Sequence, residues 1–461
     1  MQHHVVIAAL PYVDAPHAPM AAPAVLKASL NLQNISSVAM DLNIEVYNKV
    51  SAHPLKSQIE DFFYLDSVHD TAVPVLSQIL HYCANKILSN NPTVIALSVL
   101  TWQCQPFNTW LCVLLKQLSP SCRIIIGGPG IKNSVSDQLC TYAETLKQAK
   151  LIDAFITGDG DVSLIKYLEG EESYPGINST HWIPVDIDSL PYPDYSDYNF
   201  FLYTQDFIPI VDSKGCVRNC EFCDVIEFWE KFQYRSAENI FKEMLFQIEK
   251  YNMHAFDFRS SLSNGNLKEW KKLLHLMHDY NKSTYYDSQK IRWIAQFIVR
   301  PKSQHPEYMW QQMGETNGTL ALGIESVIPH VRQGLGKHFS NEDIDYHLEM
   351  AQKYNVDLTL LMITGYPTET LDDYKTTKQW FIDRKHYNKI VKKVALTHTH
   401  ILPGTGLERK SKELELTLDG PNKMIDWYSK KTGINREQRE QHYQELVDVC
   451  KNECGFNLGE Y

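Results

Sequence analysis

The sequence predicts an α/β chain made of two successive strand–helix series. The first is a Rossmann-like, doubly wound parallel sheet, the second a partial (β/α)6 barrel, and a small helical C-terminal cap follows. Three observations predict this. Short apolar runs alternate with helical patterns through most of the chain, the order expected of parallel sheets with crossover helices. The runs of the first series end in turn-rich stretches: PYVDAPHAP, TWQCQP, GGPG and TGDGD. A Pro- and Tyr-rich passage, DSLPYPDYSDYNF from Asp188 to Phe200, separates the two series, since proline interrupts regular ladders.

Taken in order, Val5–Ala9, Ser37–Met40, Val94–Leu100, Arg123–Ile126 and Ala154–Thr157 read as strands, with helical stretches such as Ala24–Leu32 and Thr109–Gln117 between them. In such sheets a ligand sits beyond the carboxyl ends of the strands. After the Pro/Tyr-rich passage come strands at Ile208–Asp212, Ala255–Phe258, Trp293–Val299, Thr319–Ile324, Leu358–Ile363 and Val394–Thr399, with a helix at Ala237–Tyr251. The last fifty or so residues, rich in Lys, Glu and Gln, read as helices outside the barrel. The expected domains are 1–170, a linker 171–205, 206–410 and 411–461. No internal repeat or low-complexity tract interrupts them.

Composition narrows the function classes. Hydrophobic residues make up 44% and charged residues 21%, a globular balance. The net charge of -11 argues against broad nucleic-acid binding, which needs clustered Lys and Arg. No apolar run approaches the roughly 18 residues of a membrane span, and MQHHVVIAALPY lacks the layout of a signal peptide. Of the ten cysteines, seven are scattered, as suits a reducing compartment. A cytoplasmic location is expected.

The other three crowd into KGCVRNCEFCDV, Lys214–Val225. Cys216, Cys220 and Cys223 are too few for a closed zinc site or a closed iron–sulfur site, which take four ligands. Three thiolates on one loop would leave one iron of a cubane open; a zinc loop with a remote fourth ligand is the alternative. Gly215 permits the tight backbone approach that wrapping a cluster requires. The C-x3-C-x2-C spacing, with aromatic Phe222 before the last cysteine, resembles the signature of the radical S-adenosylmethionine (SAM) superfamily. That resemblance implies a [4Fe–4S] cluster whose open iron chelates SAM, and one-electron cleavage of SAM to a 5′-deoxyadenosyl radical. Later segments resemble the family piece by piece. LALGIES, Leu320–Ser326, ends a strand with Glu325, where the family places a polar contact to the SAM ribose. LLMITGYPTET, through Ile363, Gly365, Pro367, Glu369 and Thr370, resembles the stretch that lies against the adenine. WIAQFIVR offers Gln296 and Arg300, facing the lumen or capped locally. Where the family often has Gly-Gly-Glu this chain reads FDFRSSLSNGN, so the contact to the SAM amino group falls to Ser260, Ser261 or Asp257.

The N-terminal segment resembles the cobalamin-binding domain that precedes the barrel in cobalamin-dependent radical SAM enzymes, and LPYPDY resembles their linker. The resemblance spans about residues 4–410. It implies corrinoid contacts from Thr101 and Gln103 at the SVLTWQ strand end and from Gly127, Gly128, Gly158 and Gly160, whose missing side chains would wall a groove for the nucleotide tail. GGPG carries Gly130 where the family usually has histidine, and TGDGD keeps acidity at Asp159 and Asp161. No Asp-x-His-x-x-Gly motif occurs; Asp345-Tyr346-His347 begins like one but lacks the glycine and lies in the barrel. Cobalt would therefore lack that histidine.

The expected function is methylation of an unactivated carbon, using a [4Fe–4S] cluster, SAM and cobalamin. The substrate would be a small molecule or peptide, and the electron donor a flavodoxin or ferredoxin. A radical cyclisation or rearrangement without methyl transfer is the runner-up, and a corrinoid- or metal-binding scaffold the non-enzymatic alternative. A tRNA methylthiotransferase is disfavoured because PYVDAPHAP holds no cysteine. No catalytic residue is assigned. Cys104, Cys450 and Cys454 read as packed thiols, Tyr192, Tyr195 and Tyr198 as packing in the linker, and the histidines show no ligand spacing.

Overall fold

The computed structural model describes residues 3–12, 17–134, 137, 139–229, 231–420 and 422–459. The centre of the PYVDAPHAP loop, 13–16, lies outside them. The described chain divides into two compact units at Pro209/Ile210.

The first unit runs β1 (His4–Ala9), α1 (Ala21–Leu32), β2 (Ser36–Asp41), α2 (Leu42–Val50), α3 (Lys56–Leu65), α4 (Val73–Leu88), β3 (Val94–Ser98), α5 (Cys104–Leu118), β4 (Arg123–Gly127), α6 (Thr141–Gln148), β5 (Ala154–Ile156) and α7 (Gly160–Leu168). Its strands pair in parallel in the order β2-β1-β3-β4-β5. This is the flavodoxin-like variant of the doubly wound sheet, whose order reverses between β1 and β3. Alternate residues feed two cores, as a sheet covered on both faces requires. Val6, Ala8, Ile95, Leu97, Ile124 and Ile126 pack with α4 and α5 residues such as Leu76, Leu80, Phe107 and Leu111. Val5, Ile7, Val94, Ala96 and Ile125 pack with Leu30 of α1 and Leu164 of α7. The β2–β3 connection holds three helices that the sequence reading did not separate. Asp41 begins the first of them by accepting from the Asn43 and Ile44 amides.

The Pro/Tyr-rich passage carries no strand but is fastened to the first unit. Lys27 pairs with Asp197 at 2.5 Å, Tyr203 donates to Asp41 at 2.9 Å, and Tyr198 donates to the Met20 carbonyl at 3.0 Å. Tyr195 is wholly buried. Between edge strand β2, α2, α4 and residues 197–203 lies a cavity of about 760 Å³ lined by polar groups including Asp41, Glu45 and Lys49.

The second unit is built on a six-stranded sheet in consecutive order: β6 (Phe207–Ile210, which meets the unit boundary), β9 (Ala255–Phe258), β10 (Arg292–Ile298), β11 (Gly318–Glu325), β12 (Asp357–Thr364) and β13 (Val391–His398). Pairing from β9 to β13 is parallel throughout. Two short strands, β7 (Ser213–Lys214) and β8 (Gln233–Tyr234), form an antiparallel ladder that closes the base of the cysteine loop around α8 (Val225–Phe228). The remaining helices are α9 (Ala237–Tyr251), α10 (Leu267–Ser283), α11 (Glu307–Glu315), α12 (Pro329–Gly334), α13 (Asn341–Tyr354) and α14 (Leu371–Asp383). Capping boxes at Ser340/Asp343 and Thr370/Asp373 start α13 and α14. Trp270 of α10 packs edge-on against Phe258, Trp293 and Phe297. Those strand residues therefore face the helices, and Asp257 and Gln296, one position away, face the concave side.

The C-terminal region contains α15 (Gly406–Arg409), a two-stranded hairpin of β14 (Leu416–Thr417) and β15 (Tyr428–Ser429), and α16 (Arg436–Asp448). The hairpin adds to the helices expected there. The tail then runs beside β13, where Val394 donates to the Asn457 carbonyl at 2.8 Å, covering an otherwise open edge.

Candidate functional site

Cys216, Cys220 and Cys223 stand on the loop that leaves β6 at its carboxyl end. Gly215, at φ +78°, begins it, and a side chain there would meet the Lys231 carbonyl at 2.9 Å. The Arg218 amide donates to Cys216 Sγ at 3.4 Å. Burial raises the Cys220 thiol, with Lys337 opposing, and pushes Cys223 up to about 12. Three thiols on one loop suit three corners of a cubane with one iron left open.

Two later segments of the chain hold the loop. The Leu335 carbonyl accepts from the Glu221 amide at 3.2 Å, and Gly336 (φ +83°) lies so close that a Cβ would sit 3.1 Å from Cys220 Cα. On the other side the Glu221 carbonyl accepts from the Leu407 amide at 2.7 Å, Glu221 pairs with Lys410 at 2.8 Å, and Arg409 pairs with Glu227 at 2.8 Å. Arg300 is also close enough to feel Arg218 and Cys216, while donating to the Asn264 carbonyl at 2.8 Å.

Glu325 ends β11 in a left-handed conformation, φ +61°, at a break in the β11–β12 register. Its carboxylate meets Lys337 Nζ at 2.9 Å, both side chains 8% exposed. Burial pushes the Lys337 ammonium down, but Glu325 and the neighbouring Cys220 more than offset this and hold it above the usual range. Lys337 also lies 5.9 Å from the Phe222 ring centroid. The sequence reading missed this lysine. Its one signal is Gly336 just before it in QGLGK, which lets the backbone press on the cysteine loop.

The other residues anticipated for SAM divide. Gln296 is half-buried on the concave side, in register with Ala321, which is in register with Thr359. Ser260 Oγ accepts from the Asp212 and Ser213 amides at 3.1 and 2.9 Å, so it ties β9 to β6. Asp257 pairs with Arg259 at 2.8 Å. Gly365 (φ +72°) donates to Glu369 at 2.5 Å, and the Arg439 stem of α16 occupies the space a Cβ would take, 2.7 Å away. Burial pushes Glu369 up to about 7.

In the first unit the anticipated glycines do not present bare walls. A Cβ on Gly128 would lie 2.6 Å from the Val99 carbonyl oxygen, on Gly158 2.1 Å from the Trp182 ring, on Gly160 3.1 Å from Leu26, and on Gly127 3.3 Å from the Ile156 carbonyl. Gly130 would meet the Thr101 carbonyl at 2.3 Å. These positions are glycine because loops and a tryptophan pack onto them. The residues open at the β1/β3 switch point are instead Thr101 and Gln103, half-buried, with Trp102 48% exposed between them. An exposed indole beside a hydroxyl and an amide fits one flat, partly apolar ligand. Cys104 is wholly buried, its thiol raised by burial, and is packed as anticipated. Cys450 and Cys454 are likewise buried.

Residues 210–381 match the family model of the Radical SAM superfamily. The chain carries a radical SAM domain. An uncharacterized methyltransferase of Pyrococcus horikoshii is 21% identical over 284 residues, 57% of this chain and 58% of the relative, so the chain spans less than two thirds of that protein's length. Among solved structures, the radical SAM methyltransferase TsrM of Kitasatospora setae, holding cobalamin and a [4Fe–4S] cluster, matches with TM-score 0.70 at 13% identity, covering 100% of this chain and 93% of that one. The cobalamin-dependent SAM radical enzyme OxsB matches with TM-score 0.67 at 14% identity, covering 98% and 67%. At these identities the likeness is one of fold. No helix among the described residues is long and apolar enough to cross a membrane.

Proposed function

We propose that the protein is a cobalamin-dependent radical SAM enzyme that methylates an unactivated carbon of a small molecule or peptide. The observation that carries the reading is the three-cysteine loop, clamped at the carboxyl end of a six-stranded barrel with the Glu325–Lys337 pair beside it. A cluster with SAM supplies one-electron cleavage chemistry, and a corrinoid carries a methyl group. The chain's own residues have narrower tasks. Cys216, Cys220 and Cys223 provide thiolates. Residues 335–337 and 404–410 fix the loop, so the ligands are held before anything binds. Lys337 offers a cation and Glu325 an acceptor where a zwitterionic, ribose-bearing ligand would lie. Gln296 supplies an amide on the concave side, and Gly365 keeps the backbone close at the β12 end. In the first unit Thr101, Trp102 and Gln103 form the contact face for a corrinoid, while Gly127, Gly128, Gly158 and Gly160 shape the loops around it. A reduced flavodoxin or ferredoxin would deliver electrons, in the cytoplasm.

Anaerobic reconstitution with iron, sulfide, SAM and hydroxocobalamin, followed by mass spectrometry, tests this. A methylase yields both S-adenosylhomocysteine and 5′-deoxyadenosine with its substrate. Deoxyadenosine without matched homocysteine product would turn the reading to radical cyclisation or rearrangement. Failure to retain any corrinoid would reduce the first unit to a scaffold.

A further inference from the structure

The sequence reading found no ligand spacing among the histidines. Helix α10 corrects this, because residues three and four apart share one helical face. His275, His278 and Asp279 bring their donor atoms within 4.8 Å of one another. The Asp279 carboxylate stands between two imidazoles, one oxygen 3.4 Å from His275 Nε2 and the other 3.5 Å from His278 Nδ1. These separations are long for hydrogen bonds. Each is close to the ligand–ligand edge of about 3.3–3.4 Å that follows from tetrahedral bonds of about 2.0–2.1 Å to nitrogen and oxygen, and since each runs to a different carboxylate oxygen, a turn of the carboxylate is needed to bring one oxygen to both imidazoles. His278 is 8% exposed, and its Nδ1 is buried with no hydrogen-bond partner.

The far nitrogens are also engaged. His278 Nε2 meets Glu315 Oε2 at 2.5 Å, and His275 Nδ1 lies 3.4 Å from the Gln312 side-chain amide, whose oxygen and nitrogen can exchange places. Both partners come from neighbouring α11. A metal-binding histidine commonly gives its second N–H to a carboxylate or amide in this way, which fixes the tautomer and aims the other nitrogen at the ion.

We propose that His275 Nε2, His278 Nδ1 and the Asp279 carboxylate bind one zinc-like divalent ion, with Glu315 and Gln312 as positioning residues and the fourth position left to water. Two imidazoles and a carboxylate select a borderline transition ion over calcium or magnesium. The site is separate from the cysteine loop. A helix that follows a barrel strand returns toward the strands' amino ends, so the last turns of α10 lie at the opposite end of the barrel from Cys216. Occupancy would bind α10 to α11 through Glu315.

The test uses full-length protein with Cys216, Cys220 and Cys223 replaced by alanine, so that the cysteine loop cannot take zinc, the seven other thiols being buried. Calorimetric titration with Zn2+ should show one site per chain, and Co2+ should give visible bands without thiolate charge transfer. His275→Ala and Asp279→Asn, both exposed positions, should remove the saturable site. Glu315→Gln should weaken it about 10–100-fold, as loss of an outer-shell partner does. If the triple-alanine protein does not fold, the same titration is run on cluster-loaded wild type with iron counted before and after. No saturable binding in folded protein, or binding unchanged by His275→Ala and Asp279→Asn, overturns the proposal.

Discussion

Glycines at strand ends serve opposite purposes in the two units. In the barrel they make room for chemistry. Gly323 lies beneath the Glu325–Lys337 pair, where a Cβ would come 2.8 Å from the carboxylate and 3.1 Å from the ammonium. Gly336, just past α12 rather than at a strand end, likewise lets the backbone rest against Cys220. In the first sheet Gly128 and Gly130 let one loop lie on the carbonyls of another, and Gly158 receives an indole. The same residue type at the same topological station thus marks either a polar site or a packed seam. Only the atoms around the glycine tell which, and each reading can be broken by substitution.

The largest effect should come from the cysteine loop. Replacing Cys216, Cys220 and Cys223 together by alanine should take iron from about four per chain to none after anaerobic reconstitution. Corrinoid retention by the first unit should be unaltered. Loss of both would mean that the two units do not hold their ligands independently.

Lys337→Met should be next. It leaves Glu325 charged and unpaired in a site where both side chains are 8% exposed. Breaking a buried pair this way typically costs about 3–5 kcal/mol, read here by denaturant unfolding of the second unit. The double change Lys337→Met/Glu325→Gln should cost clearly less than the sum of the single changes, because no orphan charge remains. Additive losses would show that the pair is not coupled, and the barrel glycines would then resemble those of the first sheet.

These two predictions differ in how readable their residues were. The three cysteines fall within eight residues of one loop, so spacing alone exposed them. All six barrel strands were likewise visible, because short apolar runs between turns carry their own signal. Lys337 was not visible. It reaches Glu325 only because α12 turns the chain back onto β11, and nothing local in a lysine predicts a partner twelve positions earlier. Trp182 escaped for the same reason: its contact with Gly158 depends on how residues 171–187 fold back, where no periodicity guides a reading. The three helices between β2 and β3 carry no individual signal of that kind, because a long, mostly amphipathic stretch gives weak boundaries. His275 and His278 were passed over because their spacing has meaning only once the segment is known to be helical.

Glu369 offers a smaller effect and tests an exception. Gly365 belongs to the barrel, yet the Arg439 stem covers it as Trp182 covers Gly158. Burial pushes the Glu369 carboxyl up to about 7, against the donated Gly365 amide. An unfolded glutamate titrates at about 4.3. Between those values the folded chain keeps a proton that the unfolded chain has released. The contribution is therefore fully present below pH ~4.3 and lost as pH rises through about 7, by up to about 4 kcal/mol. Glu369→Gln should flatten that slope. An unchanged stability profile between pH 4.5 and 7 would mean that the carboxyl is not held proton-bearing beside Gly365.

The finest test concerns Gly158, where the packed reading and the groove reading meet at one atom. The residue is at φ +68°, and a Cβ would stand 2.1 Å from the Trp182 ring. Gly158→Ala should cost about 1–3 kcal/mol, from backbone strain and overpacking together. Trp182→Ala in the same chain removes the obstacle but not the strain, so the double variant should recover part of the loss and never all of it. Hydroxocobalamin retention then separates two meanings of the indole. If Trp182 fills space that a nucleotide tail must enter, Trp182→Ala should raise retention. If Trp182 is a fixed part of the wall, Trp182→Ala should lower it, and Gly158→Ala should lower it as well by displacing the ring. Gly158→Ala with wild-type stability would remove the packing account of this glycine, and the strand ends of the two units would no longer differ in kind.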